Sequence, residues 1–210
     1  GVAGFHQHHV ATAQVFRSQC VPLATVMRFQ LLLGEDGLLQ PLQRRCLRLA
    51  ASLAYNLAGK PDKTLVQTDE VIRADPAMAQ ARAVRAEAFL LKKDKDEALI
   101  QIRQASQREK TVYIMMVKGR VHEARGEKAD AVDAYEEVLK LDAARVDVLF
   151  LRGRILDSTG AIKEGTKELL AVIKAQPRMA QAHLWLGIGY AENNKEAQSL
   201  ASFKDAVAMD

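Results

Sequence analysis

The residues able to do chemistry in this 210-residue chain are few and scattered. The densest set is His6, His8 and His9. Imidazoles so placed can hold zinc, copper or nickel. No cysteine or carboxylate lies beside them, and structural metal sites use larger ligand sets. They read as surface histidines, and no metal is expected. Cys20 and Cys46 are too few for a disulfide framework or a zinc site and read as free or buried thiols. The carboxylate pair Glu136-Glu137 reads as a solvated helix face. No phosphate loop, HExxH or GxSxG occurs. The expectation is a chain with no catalytic residue and no cofactor.

The composition indicates what positions these residues. Apolar residues make up 49% of the chain but aromatic ones only 5%, so the core must be aliphatic and alanine-rich. That favours close-packed helices over a sheet of β-branched and aromatic side chains. A net charge of +4 is a mild bias, too small to argue for nucleic acid or a membrane surface. No stretch approaches the ~18 apolar residues of a membrane span. The chain starts at Gly1 and not at a methionine, so a processed start is expected, and the compartment is not encoded in these residues.

The organising stretch runs from Val146 to Pro177, two helical patterns about a Ser158-Thr159-Gly160 turn. Leu149, Phe150, Ile155 and Leu156 form one apolar stripe, and Leu169, Val172 and Ile173 the other. Such a hairpin cannot bury both faces alone and needs copies beside it. The copies start at Arg45, Ala79, Val112, Val146 and Ala180, spaced by 34, 33, 34 and 34. Their eighth positions are Ser52, Ala86, Gly119, Gly153 and Gly187, and their twentieth Thr64, Ala98, Ala131, Gly165 and Ser199. All are small, as required where two helices cross closely. The eleventh positions are large (Tyr55, Phe89, His122, Leu156, Tyr190), so large and small residues interdigitate. His122 and His183 occupy packing positions and read as structural. Gly59, Gly126, Gly160 and Asn194 fall at the turn, and Pro76 and Pro177 where the second helix must stop.

This pattern resembles the tetratricopeptide repeat, a 34-residue helix–turn–helix. The resemblance covers Arg45 to Asp210 and is best in the last repeat, with Leu186-Gly187, Tyr190, Phe203 and Ala206. Arg48 and Arg82 depart from it at position four, and Lys93 replaces the turn glycine. The resemblance implies that first helices line a concave groove through positions two, five, nine and twelve. The implied partner-binding residues are Tyr113, Met116, Arg120 and Glu123 in the third repeat and Asp147, Phe150, Arg154 and Asp157 in the fourth, with Leu184 and Ile188 in the last. Arg120 and Arg154 would hold a carboxylate or polar backbone beside apolar anchors. The bland alternative pairs them with Glu123, Asp147 and Asp157. The asparagine clamp of chaperone-tail binders is missing, since position nine holds Leu53, Glu87, Arg120, Arg154 and Ile188.

The resulting expectation is an all-α, right-handed superhelical α-solenoid of five hairpins at 45–210 behind an N-terminal helical extension at 1–44. It would act as a non-catalytic scaffold or adaptor for a protein or peptide partner. Self-association through the terminal repeat, or a fragment whose next helix has been removed, is expected, because Leu184, Trp185, Leu186, Phe203 and Val207 belong to a last hairpin whose apolar face lacks a polar cap. Helical-repeat RNA binding is the alternative, opposed by Glu87, Glu123, Asp147 and Asp157 in the implied groove. A further alternative is the repeat portion of a larger enzyme or of a secretion or assembly protein.

Overall fold

A computed structural model describes residues 41–209. The histidine cluster, Cys20 and nearly all of the 1–44 extension lie outside the described residues. Within them the chain is helical, in two compact units divided between Arg125 and Gly126. The first contains α1 (Pro41–Leu57), α2 (Pro61–Ala74), α3 (Ala79–Leu91), α4 (Lys95–Arg108) and α5 (Val112–Arg125). The second contains α6 (Lys128–Leu141), α7 (Val146–Ser158), α8 (Ile162–Ala175), α9 (Ala180–Glu192) and α10 (Glu196–Met209). The register therefore alternates first and second helices of each repeat. The first helix begins at Pro41, four residues ahead of the register start at Arg45.

The turn inside every hairpin uses one backbone device. Gly59, Lys93, Gly126, Gly160 and Asn194 all have left-handed φ, between 57° and 88°, at the fifteenth position. Glycine adopts this conformation without a Cβ penalty, whereas Lys93 takes it at a cost. Lys93 therefore replaces the glycine in identity but not in conformation. Asp94 then caps α4, its carboxylate accepting from the Glu97 amide at 3.1 Å. Between repeats, Asp75 and Asp142 end their helices and accept from the amides of Ala77 and Ala144, a local turn that redirects the chain.

Packing follows the small-residue positions. A Cβ on Gly153 would come 3.2 Å from the Gly165 carbonyl and 3.3 Å from Leu169 Cγ, so α7 and α8 cross there in close contact. A Cβ on Gly187 would lie 2.6 Å from the Phe203 ring, the matching crossing of α9 and α10. Where the twentieth residue is a hydroxyl, it donates to the eighth carbonyl: Thr64 to Ser52 at 3.1 Å and Ser199 to Gly187 at 2.9 Å. Thr68, the exception to a large twenty-fourth position, is fully buried and bonds the Thr64 carbonyl.

The N-terminal core gathers Leu49, Ala50, Leu53, Val71, Ala81 and Val84. The C-terminal one gathers Phe150, Leu169, Val172, Ala182 and Leu186. Arg48 and Arg82 at position four reach across their own hairpins, to Gln67 and Glu70 and to Gln104 respectively. His183 at the same position is buried and makes a 2.9 Å hydrogen bond with the Pro177 carbonyl oxygen. On α10, Leu200 and Val207 are 57% and 80% exposed.

Candidate interaction site on the first helices

In the N-terminal unit the first helices α1, α3 and α5 pack side by side. That packing buries many residues at groove positions. Leu49, Leu53 and Ala83 are at most 6% exposed, and Met116, expected as an accessible anchor, is only 9% exposed. Beside them lies a part-buried polar knot centred on Glu87. Arg120 Nη1 donates to Glu87 Oε1 at 2.6 Å, and the Tyr113 hydroxyl donates to Glu87 Oε2 at 2.8 Å. Burial, helped by that carboxylate, holds the Tyr113 hydroxyl well above its usual pKa. Arg120 thus spends its charge on Glu87 of the preceding repeat. Glu123 on the same helix is half-buried. The signal for this knot was the opposite sign of the two ninth positions, Glu87 and Arg120.

In the C-terminal unit the expected residues separate into three groups. Phe150 is 9% exposed and belongs to the core, so it is not a surface anchor. Asp147 is gripped by Arg145 through two bonds of 2.8 and 2.6 Å, a planar bidentate pair. Asp157 is 1% exposed, where the groove register had it facing solvent. Both of its carboxylate oxygens lack a hydrogen-bond partner. It fits only because the facing positions are glycines: a Cβ on Gly189 would lie 2.7 Å from Oδ2, and one on Gly165 would overlap Oδ1. Burial, with a smaller push from Glu192, raises its pKa to about 7.

The third group stays accessible. The Arg154 guanidinium lies over the Trp185 ring, 5.7 Å from its centroid, a cation–π arrangement. On α9, Leu184 is 44% exposed and Ile188 is half-buried. Being four apart, they share one helix face. Trp185 occupies position six and was missed as a site residue, because the groove register counts only positions two, five, nine and twelve. A cation, an aromatic ring and two aliphatic side chains can hold a chain segment, but they offer no general base or nucleophile.

The acids that argued against nucleic acid are largely spent internally: Glu87 in the knot, Asp147 on Arg145, and Asp157 in the interior. The argument from a repulsive groove therefore weakens. No described helix is long and apolar enough to cross a membrane.

Comparison with known proteins finds the same repeat family in this chain. A family model described as tetratricopeptide repeat matches residues 67–110 and 116–165. No curated protein sequence matches the chain. Among solved structures, it is similar to MamA with a TM-score of 0.67 and 17% identity, covering 74% of this chain and 92% of that one. It is also similar to YrrB, described as a TPR protein with an unusual peptide-binding site, with a TM-score of 0.69 and 16% identity over 88% of this chain and 92% of that one. A MamA RS-1 double mutant gives 0.71 at 16% identity, over 79% and 94%. At these identities the likeness is one of fold.

Proposed function

We propose, from the premise that this chain carries tetratricopeptide repeats, that it is a non-catalytic scaffold that holds an extended segment of a protein partner. The observation that carries the reading is the accessible surface of the last two first helices. There, Arg154 over Trp185 lies on the same side of the repeats as the exposed Leu184 and half-buried Ile188, by register. An aromatic with its cation, flanked by aliphatic residues, is the composition of an interface hot spot. The peptide-binding site in YrrB's description supports the same use of the fold.

The partner meets Arg154, Trp185, Leu184 and Ile188. Trp185 is the chain's single tryptophan and so reports on binding directly. Peptide arrays select the binding segment, and Trp185 fluorescence titrations give its affinity. Leu184→Asp should weaken that affinity more than tenfold, about 1.4 kcal/mol. Lys140→Glu with Lys174→Glu, both on second helices, should change it little. Equal losses from both would reveal bulk charge attraction and end the docking reading.

A further inference from the structure

We propose that the second repeat holds a phosphate-binding site built from Arg82, Gln104, Gln107 and Arg108, separate from the first-helix face. These four side chains line a hollow of about 370 Å³. Its two charged groups are both guanidiniums, and no carboxylate lines it. Arg82 Nη1 donates to Gln104 Oε1 at 2.6 Å and Nη2 to the Pro76 carbonyl at 3.4 Å. Both acceptors are neutral, and Arg82 Nε is buried without a partner.

Comparison among the chain's own repeats shows what is absent here. At position four the first repeat has Arg48, which meets Glu70 at 2.5 Å at position twenty-six. The last repeat has His183, 3.8 Å from Asp205 at the same two positions. The second repeat keeps the cation but has Gln104 where the first and last repeats have Glu70 and Asp205. It also adds Arg108 at position thirty, where the other repeats have Ala74, Leu141, Ala175 and Met209. The internal anion has been removed and a second cation supplied. Two guanidiniums on one hollow repel each other unless an anion lies between them.

The donor set selects the ligand's chemistry. A guanidinium presents a planar fork to two oxygens, and two forks from different helices suit a group with more than two oxygens. Gln104 accepts through its oxygen, which leaves its amide nitrogen as a donor, and Gln107 adds another. A tetrahedral phosphate matches donors arriving from several directions better than a planar carboxylate does. The lining residues sit at positions four, twenty-six, twenty-nine and thirty, off the face defined by positions two, five, nine and twelve. The site therefore stands or falls independently of partner binding.

The test titrates inorganic phosphate into the full chain at constant ionic strength, with sodium chloride balancing and sodium acetate as the parallel anion. Phosphate should raise the thermal midpoint in a saturating way, as a ligand specific to the folded state does, and broaden the ³¹P resonance. Arg108→Gln should weaken the apparent affinity at least tenfold. Gln104→Glu restores the carboxylate of the first repeat, so it should raise the midpoint without phosphate and abolish the response to it. Phosphoserine identifies the source: a response equal to inorganic phosphate assigns the site to a phosphorylated side chain, and none assigns it to the free ion. No saturating response in the parent, an equal response in all three proteins, or acetate acting as strongly as phosphate would each overturn the proposal.

Discussion

Replacing Asp157 by asparagine should stabilise the C-terminal unit, and by an amount that depends on pH. The carboxyl is 1% exposed, has no hydrogen-bond partner, and sits against Gly165 and Gly189. Of the charged groups on the helices packed around it, Glu192 on α9 raises its pKa further, while Glu168 on α8 is clasped by Arg152. Its folded pKa is about 7 against an ordinary 3.8. A raised carboxyl pKa means that the fold prefers the neutral form. Its favourable contribution is complete below pH 3.8 and is lost as pH rises through about 7. At ~1.4 kcal/mol per unit, the ionised group costs roughly 4 kcal/mol by pH 8, a large share of a small domain's stability. Asparagine has the same shape and no charge. The first repeat already uses this arrangement: Asn56, also at position twelve, donates to the Val84 carbonyl at 2.9 Å. The equivalent carbonyl for position 157 belongs to Trp185. Urea unfolding followed by Trp185 fluorescence should show Asp157→Asn more stable than the parent by roughly 4 kcal/mol at pH 8 and about 1 kcal/mol at pH 4.5. A difference that is the same at both pH values would refute the reasoning, because it would mean that the parent's carboxyl does not titrate between them.

Two further outcomes test the packing. Gly153→Leu should lower stability by about 1–3 kcal/mol, since even a Cβ there is tight against Gly165 and Leu169; a calorimetric midpoint equal to the parent's would show that α7 and α8 do not cross there. Lys93→Gly should raise stability by about 0.5–1 kcal/mol by relieving a left-handed lysine with φ of 63°, and a lower midpoint would show that the lysine side chain contributes more than its backbone costs.

The repeat register was readable because it is written in local spacing. Small residues at positions eight and twenty, with a turn residue at fifteen, recur every 33 or 34 residues. The helices, their crossings at Gly153 and Gly187, and the left-handed turns lie where that spacing puts them. Even Lys93 obeys the turn, because position along the chain and not side-chain identity imposes the backbone there. Partnership and burial on the first-helix face were not readable in the same way. Position nine puts Arg120 on the groove face, but only the tertiary structure decides that Glu87, 33 residues earlier, meets it there. Met116 and Phe150 sit at positions counted as exposed and are covered, because the interhelical distance decides how much of a helix face survives contact. Asp157 shows the same dependence most sharply. Its spacing placed it in solvent, and two glycines, one eight residues on and one thirty-two, opened the room that buries it. Helical periodicity is a property of one segment and can be read from its residues, whereas burial and charge pairing depend on distances between segments, which exist only once the helices have packed.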